Sequence, residues 1–203
     1  MNTKRNLFES VKAAMVGAIK STGDIFEAAV ETVGDAVAVI FKSGAKTGRA
    51  FLEALPDITE GALHAAVDVG SDLAQTAKGI LWGVLSATQK TGKEALGAIS
   101  DVAGSIIHST YKVGGDLAKA AIGAVQGAIH TAKELGLNVE DAASAAATGA
   151  IKAASKIGFS AGRTVRHTLT GTIDGVKVVL KEPFKKSYPR TNGYGKRKHP
   201  SMK

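Results

Sequence analysis

Six glycines recur at a spacing of 22 residues along this chain of 203 residues, at Gly48, Gly70, Gly92, Gly114, Gly136 and Gly158. A second series keeps the same spacing, with Ser105 filling its one gap, at Gly61, Gly83, Gly127, Gly149 and Gly171. A fixed period of about 20 to 50 residues indicates a repeat architecture, in which units stack to bury their apolar faces. The repeat favours an extended surface or an array over a single catalytic pocket.

Within each unit, apolar and small residues return about every 3.67 residues, which is the 11-residue period of an α-helix. Each unit opens with isoleucine, leucine or phenylalanine, so the predicted units begin at residues 19, 41, 63, 85, 107, 129, 151 and 173. The pattern predicts an all-α domain of tandem helical repeats over residues 19–180. We expect an amphipathic N-terminal lead-in at 1–18 and a separate tail at 181–203.

The first glycine series also predicts where helices end. Residues 70–72, 114–116 and 136–138 each read glycine, spacer, capping residue, and 158–160 has the same order. Such a glycine ends one helix and the Asp, Asn or Ser caps the next. Serial antiparallel helices of about 19 residues follow from these short connections.

The sequence also leaves open an alternative to helices that all end at these glycines. No capping residue follows Gly48 or Gly92, so longer unbroken helices stay open at these two positions. Pro56 predicts an additional break, because proline lacks a backbone donor.

Glycines also allow two helix backbones to approach closely, and GxxxG spacing is typical of such contacts. This spacing occurs at Gly44/Gly48, Gly79/Gly83, Gly123/Gly127 and Gly171/Gly175. From the two series we predict close helix packing at Gly48, Gly70, Gly83, Gly92, Gly114, Gly127, Gly136, Gly149 and Gly158.

Motifs of catalysis do not fit this pattern. Residues 158–162 match G-x-S-x-G, but that motif requires a preceding strand where the repeat predicts helix. His64, His108 and His130 share one repeat position, which keeps them too far apart to converge on a metal ion. Residues 90–93 lack the first glycine of a P-loop, and the chain contains no cysteine. We therefore expect no enzyme activity, no metal site and no cofactor.

The net charge of +8 is concentrated in residues 181–203, which hold eight basic residues and one acid. Three of the four prolines also lie there, a composition that favours an unfolded or extended segment. The predicted polyanion-binding residues are Lys181, Lys185, Lys186, Arg190, Lys196, Arg197 and Lys198. Basic residues among tyrosines neutralise phosphates and stack on bases, so nucleic acid is one candidate partner. An anionic membrane, an acidic partner and a merely solubilising tail are the alternatives.

Repeats of 11 and 22 residues rich in Ala, Gly, Val, Thr and Lys resemble those of synucleins, exchangeable apolipoproteins, perilipins and late-embryogenesis-abundant proteins. Residues 88–95, TQKTGKEA, are similar to a synuclein KTKEG unit. The resemblance implies a helical protein that lies on a lipid surface, with apolar residues in the boundary and lysines at the headgroups. The headgroup-facing candidates are Lys46, Lys90, Lys112 and Lys156.

These observations predict a non-enzymatic amphipathic helical-repeat protein that binds a lipid or another hydrophobic or anionic surface. In water it would form a loose antiparallel array that opens on that surface. The alternative is a self-assembling structural or scaffold protein whose basic tail binds nucleic acid or another polyanion. The longest uncharged run, 120–132, is shorter than a membrane-spanning helix requires. We expect an intracellular protein, cytoplasmic or peripheral to a membrane, and basic clusters at 185–186 and 196–198 leave the nucleus as an alternative.

Overall fold

The structure, a computed structural model, describes residues 3–42, 48–88 and 92–180. These residues form eight helices in tandem, followed by a short antiparallel β-hairpin. The helices are α1 (Thr3–Thr22), α2 (Ile25–Lys42), α3 (Gly48–Asp68), α4 (Leu73–Thr88), α5 (Gly92–Lys112), α6 (Leu117–Glu134), α7 (Val139–Ile157) and α8 (Phe159–Thr168). The strands are β1 (Gly171–Ile173) and β2 (Val176–Val178). The prediction of tandem helical repeats is confirmed, and the tail at 181–203 lies outside the described residues.

Helices two apart in the chain are parallel and pack directly on each other. Gly79 of α4 lies against Phe26 of α2, and Gly83, one turn later, lies against Val30. Because the residue numbers increase in the same direction along both helices, α2 and α4 are parallel. Consecutive helices therefore run in opposite directions. Helices α1, α3, α5 and α7 therefore form one layer, and α2, α4 and α6 form the other, with α8 packed on α6 and α7.

The core lies between the two layers and is dominated by small side chains. Alanines of every helix from α2 to α7 are fully buried in it. Its largest fully buried side chains are Met15, Phe51, Ile58, Leu63, Ile80, Leu81, Leu85, Ile99, Ile106, Ile107, Ile129 and Leu169. Small residues bury little area each, so the free energy of unfolding depends on many close contacts between the helices.

Three of the predicted glycine breaks are helix ends of the expected kind. Their φ angles are 69°, 72° and 64°, in the left-handed region, at Gly70, Gly114 and Gly136. Two residues further on, a side-chain oxygen accepts hydrogen bonds from the first turn of the next helix, at Asp72, Asp116 and Asn138. The order glycine, spacer, cap is confirmed at these breaks.

Other helix ends differ from the prediction. Gly158 has an extended φ of 168° and no side chain caps α8, so Ser160 lies inside that helix. Gly23, with φ 71°, and the capping Asp24 form a break that the two glycine series did not predict. The alternative of longer unbroken helices is wrong, because new helices begin at Gly48 and Gly92.

The predicted break at Pro56 is wrong, since α3 continues through it. The side-chain hydroxyl of Thr59 donates in this turn, 2.9 Å from the Leu55 carbonyl oxygen and 3.1 Å from that of Pro56. The boundary between residues 18 and 19 is also wrong. Helix α1 crosses it, and its Val11 and Met15 are buried in the core, so the lead-in is part of the first repeat.

The last predicted unit, beginning at residue 173, is not helical. Asp174 and Gly175 turn the chain with φ angles of 47° and 77°, and β1 pairs with β2 on either side of them. A D-G dipeptide between β-branched residues is a strong hairpin signal that the repeat period obscured. The Gly171/Gly175 pair is therefore not a helix contact, and Val178 of this hairpin is buried against the end of the helical layers.

Four glycines of the second series, Gly61, Gly83, Gly127 and Gly149, lie where parallel helices touch. A Cβ at Gly61 would lie 2.8 Å from the Phe8 carbonyl oxygen, and one at Gly127 would lie 2.8 Å from that of Lys78. At Gly149 the corresponding atom would collide with the carbonyl of Ser100. Only glycine allows the helix backbones to approach this closely.

The predicted packing glycines therefore divide into three groups. Gly83, Gly127 and Gly149 lie against the backbone of a neighbouring helix. The prediction is wrong for Gly70, Gly114, Gly136 and Gly158, which lie in turns with no heavy atom of the described residues near an added Cβ. The surroundings of Gly48, Gly92 and the Gly44/Gly48 pair lie outside the described residues.

We expect Gly83→Ala to lower the free energy of unfolding by about 1–3 kcal/mol, because its Cβ would lie 2.7 Å from the Val30 carbonyl oxygen. Gly97→Ala in α5 is the matched control, since among the described residues no heavy atom lies within 4 Å of its Cβ position. That control should stabilise the protein by about 0.5–1 kcal/mol through helix propensity alone. Urea unfolding followed by circular dichroism measures both, and equal effects would contradict the proposed contact.

Candidate functional site

A groove lined by cationic and polar side chains lies between α5 and α7 on the outer surface of the first layer. We call it the α5–α7 groove; its volume is about 630 Å³. Its floor is formed by Gly104, Gly149 and Ala153. Its rim carries Asp101, His108, Tyr111, Lys152 and Lys156.

The glycine contact between α5 and α7 explains the shape of the groove. Gly149 lies directly against the Ser100 carbonyl, and Gly104 faces the backbone of Gly149 in return. With Ala153 beside them, no large side chain fills the valley between the two helices. The rim side chains therefore stand around a floor of backbone and methyl groups.

The lysines that α7 contributes to this groove differ from Lys12 and Lys112 of the same layer. Lys152 and Lys156 lie one helical turn apart, both are exposed, and neither forms an ion pair within the described ranges. Lys112, in contrast, lies 2.7 Å from Glu60, and Lys12 lies 2.7 Å from Asp68. The two α7 lysines are thus available to an anionic ligand.

The Lys12–Asp68 pair shows how the α1 and α3 side of this surface is neutralised. The hydrogen bond from Lys12 holds the pKa of the Asp68 carboxyl below its usual value, and the charge of His64 acts in the same direction. Asp68 occupies in α3 the repeat position that Lys112 occupies in α5 and Lys156 in α7. At this repeat position the first layer therefore changes from the paired Asp68 of α3 and Lys112 of α5 to Lys156 of α7, which has no ion pair among the described residues.

Only part of the predicted binding set lies in the described structure. Of the headgroup-facing candidates, Lys156 lines the groove, Lys112 is paired with Glu60, and Lys46 and Lys90 lie outside the described residues. The tail candidates lie outside them as well: Lys181, Lys185, Lys186, Arg190, Lys196, Arg197 and Lys198.

Sequence reasoning did not identify His108, Tyr111 and Lys152 as members of one site. Lys152 follows His108 by 44 residues, two repeats, and Lys152 and Lys156 have i, i+4 spacing, which places them on one helix face. That spacing was the available signal. Tyr111, 56% exposed, had none, because its neighbours come from α7.

The histidines lie in different surroundings. His108 is on the groove rim, whereas His130 of α6 packs on the Trp82 ring, 3.8 Å between centroids, and the Phe26 ring lies against both. In the described parts of the chain no group of three or more potential ligands could hold a metal ion. Ser160 follows helix α7 and not a strand, so the residues around it differ from the strand-to-serine turn that a nucleophile elbow requires.

Burial lowers the pKa of His130 below its usual value, and the nearby charge of Lys78 acts in the same direction. The Lys78 ammonium lies 5.0 Å from the Phe26 ring centroid, so it faces the same aromatic cluster. Glu134 opposes the shift, but burial dominates. The neutral form of His130 is therefore the one that fits the folded protein.

Comparisons with known proteins do not assign this chain to a family. No family model matches the chain, and no curated protein matches it. Among solved structures, it is similar to the crystal structure of the de novo designed helical repeat protein DHR7, with a TM-score of 0.49 and 19% sequence identity. The match covers 82% of this chain and 91% of the designed one.

A search of the described residues for helices that are long and apolar enough to cross a membrane found none.

We expect the protein to lose stability on acidification through His130. Below about pH 6.5 the unfolded chain takes up this proton more readily than the folded one, so the free energy of unfolding falls. Above that pH the contribution is fully present. Thermal melts at about pH 7.5 and about pH 5.5 should show a larger drop in Tm for the wild type than for His130→Phe, which keeps a ring against Trp82. Equal drops would assign the pH effect to other groups.

Proposed function

We propose that this chain is a non-enzymatic helical-repeat protein that binds an anionic surface through the cationic side chains of its C-terminal half, while its helical layers stay closed. The observation that carries the proposal is the pair Lys152 and Lys156, exposed and without an ion pair among the described residues. Anionic lipid headgroups are the first candidate ligand.

The α5–α7 groove has the chemistry for such a ligand. Two ammonium groups one turn apart supply charge, and His108 and Tyr111 supply hydrogen-bond donors on the opposite helix. Each Lys or Arg near an anionic membrane contributes about 1 kcal/mol of attraction. The basic residues of 181–190 follow the same end of the helical layers and would add to it.

The arrangement supports a closed array over one that opens on lipid. The apolar stripes are buried between the layers, and the backbone contacts at Gly61, Gly83, Gly127 and Gly149 would all be lost on opening. Those contacts are specific to glycine and have no replacement on a lipid surface. We therefore propose electrostatic docking, with little insertion of apolar side chains.

Replacing both groove lysines tests the proposal. We expect Lys152→Gln/Lys156→Gln to weaken binding to vesicles of phosphatidylcholine and phosphatidylserine by about 2 kcal/mol, roughly thirtyfold in Kd. The matched control is Lys119→Gln/Lys133→Gln, which removes two exposed lysines of α6 outside the groove. Cosedimentation at low salt measures both, and equal weakening would show that only net charge matters.

The same titration distinguishes the open and closed forms. Near-ultraviolet circular dichroism and Trp82 emission should stay unchanged on vesicle binding, because Trp82 packs against Phe26 and His130 in the closed layers. A red shift of Trp82 emission with gain of exposure would favour the opening model instead.

A second candidate function is nucleic-acid binding by the tail, favoured by Tyr188 and Tyr194 among its eight basic residues. We expect Lys196→Gln/Arg197→Gln/Lys198→Gln to weaken salt-sensitive binding of a single-stranded oligonucleotide in fluorescence anisotropy, and to reduce the salt slope by about two to three. Binding that is unchanged would remove the tail from this role. Static light scattering without ligand tests the scaffold alternative, for which large assemblies are expected.

A further inference from the structure

The two ends of the helical layers are finished differently. At the C-terminal end, α8 and the β-hairpin cover α6 and α7, and Leu169 and Val178 are buried there. At the N-terminal end, α1 and α2 form the last helix pair, and none of the described residues covers their outer face. The described residues therefore leave the N-terminal face uncovered.

A groove of about 600 Å³ runs between α1 and α2 on this face, and we call it the N-terminal groove. Its apolar lining includes Leu7, Ala18, Ala36 and Val39, and Val39 is 64% exposed. Glu31 and Asp35 lie along its α2 side. Neither acid forms an ion pair within residues 3–42, 48–88 and 92–180.

The repeat explains why these acids face outwards. Seven and eleven residues after their capping aspartates, α4 and α6 carry the glycines that touch the previous helix of the same layer, namely Gly79, Gly83, Gly123 and Gly127. Counted in the same way from Asp24, α2 carries Glu31 and Asp35. The positions that would accept another helix backbone are therefore acidic, and a further repeat of the same kind cannot pack there closely.

We propose that the distal part of this chain's own tail, residues 191–203, docks in the N-terminal groove. These residues contain Lys196, Arg197, Lys198 and Lys203 and no acid, which complements Glu31 and Asp35. Tyr194 and Met202 supply apolar surface for the groove lining. The inference does not depend on the proposed anion binding, since it concerns the opposite end of the molecule.

The length of the tail fits this path. From α7 to α1 the first layer crosses three helix–helix steps of about 8–10 Å each, or about 30 Å in all. Ten extended residues, 181–190, reach about 34 Å. They span the layer from Leu180 and leave 13 residues for the groove.

The tail of the same molecule has an advantage over that of a second copy. A short flexible linker holds a tethered segment at an effective concentration of the order of millimolar, above that of a free partner in dilute solution. In the proposed arrangement, residues 181–190 would serve as that linker. Docking within one molecule is therefore the form we assign.

Distance measurement on the full chain tests this directly. The sequence has no cysteine, so Ala13→Cys, at an exposed position of α1 next to the groove-lining Ala14, and Ser201→Cys in the tail give two unique sites for spin labels. Double electron–electron resonance, without any polyanion, should show a short, narrow distance population. It should survive dilution with excess unlabelled protein and disappear at about 1 M salt, where the Debye length is about 3 Å.

Charge reversal identifies the groove. Glu31→Lys/Asp35→Lys in the labelled chain should abolish the short population, while Asp101→Lys/Glu134→Lys, which reverses two exposed acids away from the N-terminal face, should keep it. Circular dichroism melts check that each variant folds. If Glu31→Lys/Asp35→Lys does not fold, Glu31→Gln/Asp35→Asn takes its place. A broad distance distribution in the wild type, a short population insensitive to the Glu31 and Asp35 changes, or loss of it on dilution, which would indicate docking between copies, would each overturn the proposal.

Discussion

Direct backbone contact between parallel helices of the same layer is the interaction on which this structure depends. At Gly61, Gly83, Gly127 and Gly149 the helices approach so closely that a methyl group would meet a carbonyl of the neighbouring helix. A core built largely from alanine cannot gain much free energy from the size of its side chains. Close approach compensates, because it brings many atoms of both helices to van der Waals distance.

The same contacts determine where the surface can bind. Glycines form the floor of the α5–α7 groove. The α7 lysines lie beside this groove without acidic partners in the described structure. Counted from the capping aspartate, Glu31 and Asp35 of α2 take the places of the contact glycines of α4, and no helix of the described residues packs on them. The same kind of helix position thus brings the helices of a layer together, shapes one groove and, where it is acidic, disfavours close packing of a further helix.

The glycine period, the helical class and three of the caps were predictable, since each depends on residues close together in the chain. The hairpin at β1 and β2 was missed although its D-G signal was present, because the period assigned those residues to a helix. Pro56 was overestimated as a break, since α3 is held by its packing in the core. Only part of the α5–α7 groove could be predicted from the sequence. Lys152 and Lys156 share a helix face, but His108 and Tyr111 come from another helix.

The sequence by itself determined how often the chain turns and which face of each helix is apolar, because turns and amphipathicity are read from neighbouring residues. Only the tertiary structure decided that helices two apart pack most closely, and therefore which glycines are contacts and which are turns. Those partners lie about two repeats apart in the chain, and no local pattern encodes them. The pairing of Lys112 with Glu60 follows from the same layer packing, as does the lack of an acidic partner for Lys156, at the equivalent position, within the described residues.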